Sequence, residues 1–222
     1  MKTMVIAPHP DDEILGVGGT MLRRKQESHD VIWLIVTAMK PEDGWQAEAI
    51  AKRRVEIEKV ARLVGVDDVI ELGLPSARLD AVKIGDLVSS ISAAVDKVRP
   101  HEVFVPHIGD VHTDHYAVHR AAISSTKWFR HGSVRSVLAY ETLSETDFGV
   151  GEPFVPNVFV DIGPYLEKKL QALEIYSSEL TDFPFPRSFE AVRSLARVRG
   201  AAAGFAAAES FMLLRQRQGD FA

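Results

Sequence analysis

Pro8-His9-Pro10-Asp11-Asp12-Glu13 places one imidazole and three carboxyl groups side by side. Three acids this close repel one another unless something cationic holds them, so the cluster points first to a metal site. His9 and Asp12 offer an imidazole nitrogen and a carboxylate oxygen, both good zinc ligands, while Asp11 and Glu13 remain for other work. A catalytic zinc keeps about three protein ligands and leaves one position for water. A further ligand is therefore expected from a second histidine cluster, and His107 followed by Gly109-Asp110-Val111-His112-Thr113-Asp114-His115 supplies the candidates. Zinc brings the pKa of bound water towards ~7, and a neighbouring carboxylate can take its proton, which is the chemistry of metal-assisted hydrolysis. Helix capping would account for the acids at 11–13, but for neither His9 nor the second cluster.

Such groups need rigid supports. Met4-Val5-Ile6-Ala7 has the pattern of a buried strand and residues 14–22 that of the helix after it, so His9 falls in the crevice beyond a strand's carboxyl end, where α/β proteins bind ligands. Pro8 and Pro10 bracket His9 and stiffen the turn. Residues 30–38 form a near-continuous apolar run, as expected of a central parallel strand covered on both faces. The loop 39–45 leads to a helix over 46–64 that Gly65 ends. A strand at 67–72, a helix at 84–98 stopped by Pro100 and a strand at 103 follow, and Thr113 or Asp114 caps a helix that carries His115. Two more strands are expected at 136–141 and 158–162, a helix at 165–180, and a last helix or bent pair over 188–216, with the alanine-rich 201–208 stretch as core helix. Alternating strands and helices predict an α/β fold, a three-layer Rossmann-like sandwich with a mostly parallel sheet, in one domain spanning 1–222.

Composition narrows the function. At 222 residues and 46% hydrophobic content, the chain can bury one sizeable core. Its formal net charge of −5, with basic residues scattered, argues against a nucleic-acid partner. There is no cysteine, so any metal must be held by His, Asp or Glu. The first apolar run is too short for a signal-peptide core and no stretch approaches a membrane span, which makes a soluble, cytoplasmic protein the expectation. Gly16-Val17-Gly18-Gly19 lacks the spacing of a dinucleotide loop, and strand two ends in Thr37-Ala38 where an acid would hold a ribose; these glycines are expected to let the helix pack closely on the sheet. His115 and His119 share a helix face, yet Tyr116 stands where a zinc helix would need Glu, so His119 is expected to pack or to support the site from behind.

Pro8-His9-Pro10-Asp11-Asp12-Glu13 together with His112-x-Asp114-His115 resembles the PIG-L/LmbE-like zinc-dependent de-N-acetylases, which remove acetyl groups from N-acetylglucosamine units. Arg53-Arg54-Val55-Glu56 is similar to a helix motif of that family, and residues 196–211, with Arg199-Gly200 and Ala208-Glu209, look like its C-terminal helix. Val64-Gly65 and Ser178-Glu179 depart from the family's frequent Leu-Gly and Ser-Gln. The resemblance implies that His9, Asp12 and His115 bind zinc, another divalent ion being the alternative, and that Asp11 is the general base. It implies that His112, oriented by Asp114, stabilises the oxyanion and protonates the leaving amine, and that Arg53 holds substrate, although Arg53 and Arg54 cannot be told apart by their chemistry. Glu13 is expected to be a first-turn helix acid or a hydrogen-bond partner rather than a ligand. The implied activity is removal of an N-acetyl group from an N-acetylglucosamine-type sugar or its conjugate. An amidase acting on a sugar-thiol conjugate and a non-catalytic zinc-binding scaffold are the alternatives. The expected partner is an amino-sugar-containing small molecule or glycoconjugate, and the resemblance favours a homo-oligomer over a monomer. Trp45, Phe148 and Phe154 are candidates for a sugar-stacking rim or for packing.

Overall fold

The computed structural model describes residues 1–219. Seven strands, β1 (Lys2–Ala7), β2 (Asp30–Ala38), β3 (Asp68–Pro75), β4 (Glu102–Pro106), β5 (Ser136–Tyr140), β6 (Val158–Asp161) and β7 (Ala208–Gln216), form one sheet in the order β3-β2-β1-β4-β5-β7-β6. Neighbours from β3 to β5 pair in parallel, and β7 runs antiparallel between β5 and β6. The helices are α1 (Asp12–Gln26), α2 (Ala47–Val64), α3 (Ile84–Val98), α4 (Thr113–Ser125), α5 (Leu166–Ile175) and α6 (Phe189–Ala203).

Alternate strand residues feed two separate cores. Val5, Ala7, Trp33 and Ile35 pack with Val17, Val60, Leu170 and Val192 of α1, α2, α5 and α6. Met4, Ile6, Ile32 and Leu34 face the other way, onto Leu87 and Ile91 of α3 and Val118 and Ala122 of α4. Both faces of the central strands are therefore dry, which is why they read as unbroken apolar runs. The three-layer α/β architecture agrees with the sequence pattern. No helix among the described residues is long and apolar enough to cross a membrane.

The end of the chain departs from expectation. Instead of helix over 188–216, α6 stops where Gly204 adopts the left-handed conformation (φ 77°), and the chain returns as β7. Alanine, leucine and methionine favour helix locally, but pairing with β5 and β6 on both edges and burial of Ala208 and Phe211 override that preference. The helix expected over 165–180 is also shorter, and residues beyond Ile175 form a loop that leads to α6.

A buried ion pair between β7 and α5 is fastened to α1 by hydrogen bonds. Glu209 accepts from the amides of Gly19 (2.8 Å) and Thr20 (2.7 Å) and from Lys169 Nζ (2.7 Å), while Lys169 also donates to the carbonyl of Leu15 (2.8 Å). Leu15 and Gly19 are an i, i+4 pair, so both side chains reach into the α1 ladder at one turn. That helix lies very close to its supports. A Cβ on Gly16 would stand 2.3 Å from the Tyr140 ring, and one on Gly19 2.7 Å from Ile162, consistent with the close packing expected of these glycines.

Candidate active site

The loop between β1 and α1 is fixed from several sides. Thr37 at the end of β2 donates to the carbonyl of Pro8 through its amide (3.1 Å) and its hydroxyl (2.8 Å), and Arg53 Nη1 donates to the carbonyl of Pro10 (3.1 Å). Asp11 has φ 129° and ψ −32°, a strained conformation for a residue with a side chain. Its surroundings hold it there. The amide of Asp11 donates to Glu13 Oε2 (2.9 Å), the amides of Ile14 and Leu15 donate to its carbonyl, and Tyr176 donates to Glu13 Oε1 (2.9 Å). Glu13 thus works as a hydrogen-bond partner of the loop.

Because β1 and β4 are neighbours, with Val5 opposite Phe104, the loops that leave them meet at the same sheet edge. His9 Nδ1 lies 3.4 Å and His115 Nε2 3.3 Å from Asp12 Oδ2. The donor atoms of His9, Asp12 and His115 lie within 4.8 Å of one another and make a group able to bind a metal ion. His115 points its other nitrogen at Asp110 Oδ2 (2.8 Å), and Thr146 donates to Asp110 Oδ1 (2.6 Å). A carboxylate behind a ligating imidazole fixes ring orientation and tautomer.

Asp114 corrects one expectation. Its carboxylate accepts from the amides of Ala77 (2.7 Å) and Leu79 (2.9 Å) and contacts His9 Nε2 (2.9 Å), so the imidazole it orients through its side chain is His9. The link to His112 runs through the backbone instead: the Asp114 amide donates to His112 Nδ1 (3.1 Å), which makes His112 the N-cap of α4 in place of the expected Thr113 or Asp114. In the neutral ring the hydrogen then sits on Nε2.

Burial and neighbouring charges spread the titration of these groups. Burial, reinforced by the Asp12 charge and opposed by Arg187, raises Asp11 to about 7. Burial and the charges of His9 and His115 lower His112 to about 4. For His9, burial alone would lower the pKa, but hydrogen bonds to Asp114 and Asp12 raise it to about 9. His115 is raised against its burial to about 10 by the Asp12 charge and the bond to Asp110. Asp12 lies well below the usual carboxylate range, its burial overcome by His115 and His9.

These side chains form the floor of a cavity of about 260 Å³. Trp45, Arg53, Glu145, Glu179 and Arg187 line the rest of it. Arg53 is mostly buried, pairs with Glu179 and lies 5.3 Å over the Tyr176 ring, whereas Arg54 is exposed, a distinction their sequence positions cannot make. Of the three rim aromatics only Trp45 lines this cavity; Phe154 packs edge-on against His107. His107 bonds the carbonyl of Glu152 and His119 that of Pro106, outside the cluster of His9, His112 and His115. Sequence reasoning missed Asp110 and Arg187. The acidic residue was visible five positions before His115, but its pairing runs across a loop and follows no helical period. Arg187 Nη1 lies 2.9 Å from Asp11 Oδ2, from a loop whose course has no local sequence signal.

A family model described as PIG-L: GlcNAc-PI de-N-acetylase matches residues 4–126, which include both histidine clusters. The chain belongs to the PIG-L family. It is 26% identical over 220 residues to diacetylchitobiose deacetylase of Thermococcus kodakarensis, covering 94% of this chain and 81% of that one. It is 26% identical over 184 residues to a probable N-acetyl-alpha-D-glucosaminyl L-malate deacetylase of Bacillus anthracis, covering 79% and 80%. Among solved structures it superposes on the conserved protein TT1542 of Thermus thermophilus with a TM-score of 0.79 and 27% identity, over 98% of this chain and 96% of the other. The PIG-L match includes α2 and Arg53, while Glu179 and Arg187 fall outside it.

Proposed function

We propose that this PIG-L protein is a zinc-dependent hydrolase that removes the N-acetyl group from an N-acetylglucosamine-type sugar or its conjugate, releasing acetate and a free amine. The observation that carries the proposal is the buried Asp11 carboxyl standing on the same cavity floor as the His9, Asp12 and His115 group. The donor set fits zinc: two imidazoles and one carboxylate are the ligand types of a catalytic zinc site, the cavity lies over them, and Asp110 supports His115 from behind. Bound there, the ion supplies Lewis acidity, polarising the acetyl carbonyl and lowering the pKa of water.

Asp11 is assigned as general base. In the metal-free chain burial raises its pKa to about 7, and the carboxyl is placed to take a proton from the attacking water and return it to the leaving nitrogen, a step that the family resemblance gives to His112. His112 is neutral at pH 7, and its Nε2–H is a ready donor to the oxyanion that develops on the acetyl oxygen. Asp114 holds His9 through its carboxylate and His112 through its amide, so it is a positioning residue for both. Arg53 stands at the cavity wall as a substrate contact, and Trp45 offers a face on which a sugar ring can stack.

The test is acetate release by zinc-loaded protein from N-acetylglucosamine, N,N′-diacetylchitobiose and conjugates of N-acetylglucosamine. Release from at least one, lost on chelation and restored by zinc, is the expected result. Zinc-loaded protein that releases acetate from none of them would overturn the proposal. An amidase would instead free the amine of the sugar without acetate, and a scaffold would do neither.

A further inference from the structure

Glu179 sits between two guanidinium groups. Arg53 Nη2 pairs with its Oε1, and Arg187 Nη1 lies 3.4 Å from its Oε2. Two arginines converging on one carboxylate is the geometry in which proteins grip an anionic ligand, because each planar fork matches carboxylate and phosphate oxygens. Here the gripped anion belongs to the chain itself.

The remaining contacts leave neither arginine with spare charge. Arg53 also faces Glu56 (3.4 Å) and donates to the Pro10 carbonyl. Arg187 pairs with Asp11 (2.9 Å) and Glu145 (3.4 Å), and its Nε donates to Ser144 (2.8 Å). Around the cavity, the carboxylates Asp11, Asp12, Glu145 and Glu179 outnumber the guanidiniums of Arg53 and Arg187 by two, an excess that one divalent cation balances. A substrate phosphate or carboxylate next to the acetamido group would therefore meet a neutral mouth, with the Glu179 charge already in the arginine clamp.

We propose that Glu179 is a specificity determinant: it fills a two-arginine anion clamp from within and restricts the enzyme to N-acetylamino sugars that carry no acidic group beside the acetamido carbon. This inference rests on the deacetylase reading above and deepens it to a substrate class. Neutral oligosaccharides and neutral glycosides qualify. Sugar phosphates and carboxylate-bearing sugars are excluded by repulsion from Glu179 and by the cost of displacing it.

The experiment compares kcat/KM of zinc-loaded protein on three substrates. N,N′-diacetylchitobiose is neutral, N-acetylglucosamine 1-phosphate puts the anion on one side of the acetamido carbon, and N-acetylmuramic acid puts it on the other. The wild type is expected to favour the neutral sugar by at least about tenfold. Glu179→Gln keeps the side chain's shape and removes its charge. It is expected to shift the anionic-to-neutral ratio by about tenfold in favour of at least one acidic substrate. Wild-type protein that handles an acidic substrate as well as the neutral one overturns the inference. So does a variant that loses activity on all three in equal proportion, the mark of a purely structural role. Sulfate binding by calorimetry reads the clamp without turnover: Glu179→Gln should bind sulfate roughly tenfold more tightly than the wild type, and equal binding refutes the clamp. Failure to release acetate from any substrate, with the sulfate difference intact, would reject the deacetylase reading alone.

Discussion

Asp11→Asn separates catalysis from architecture. Asparagine tolerates positive φ about as well as aspartate, so the strained backbone at φ 129° survives the change, and the amide oxygen can still accept from Arg187. His9, Asp12 and His115 are untouched, and zinc should remain bound in stoichiometric amount. What disappears is the base, and the site holds no ready substitute. Asp12 is committed to the His9 amide and to His115, while Glu145 and Glu179 are engaged by Arg187 and Arg53. General-base catalysis contributes about 10²–10⁴ in rate, and Asp11, only 4% exposed, should lie in the upper part of that range. The expected loss in kcat is therefore about 10³–10⁴, or roughly 4–5.5 kcal/mol in the barrier, with KM changing little. Acetate release alongside metal analysis by mass spectrometry measures both halves. A zinc-loaded variant within about tenfold of wild-type kcat would refute the assignment of Asp11 as base.

Two further outcomes follow from the charge arrangement. His9 and His115 titrate near 9 and 10 in the metal-free chain, so both are imidazolium at pH 7.5 and must lose a proton to ligate; zinc loading should release about two protons per ion, and apparent affinity should climb with pH until those values are passed. Calorimetry in buffers of different ionisation enthalpy counts the protons, and fewer than about one per ion would contradict this protonation state. Because both folded values lie above the ordinary 6.5, the same groups stabilise the metal-free fold fully below that pH, and the increment is lost as pH rises through 9–10. In the hydrophobic interior, Glu209→Ala should leave Lys169 charged and unpaired, destabilising the protein by about 3–5 kcal/mol and lowering Tm by roughly 6–20 °C. Thermal unfolding followed by circular dichroism checks this, and a fall of under about 2 °C would show that the pair is not structural.

Much of the site was legible because its chemistry is dense in the chain. His9 to Asp12 and His112 to His115 each span only four residues at a loop-to-helix junction, and the strands that lead to them have the continuous apolar character of doubly covered strands. The helices at 47–64 and 84–98 carry a clear 3.6-residue period and end where Gly65 and Arg99 adopt left-handed conformations. What sequence could not supply depends on non-local pairing. β7 is a strand because two other strands flank it, and no property of its own alanines and leucines says so. The 201–208 stretch, expected as core helix, is broken at Gly204 where α6 ends, and its alanines give no local sign of the strand that follows. Asp114 shows the same limit on a smaller scale. The family resemblance implied that it pairs with His112, and only the path of the 77–79 segment, which fastens both carboxylate oxygens, turns that side chain from His112 towards His9.

The pairing of β1 with β4 also has a consequence for how the protein assembles. His9 and Asp114 are separated by 105 positions in the chain, with β2, α2, β3 and α3 lying between them. The candidate metal group thus links β1 and β4 across a long loop whose closure costs entropy. A cation that binds this group and not the unfolded chain would add its binding free energy to the stability of the β1–β4 seam, slowing the separation of the two halves. Catalytic competence and resistance to unfolding would then rise and fall together with the supply of one ion.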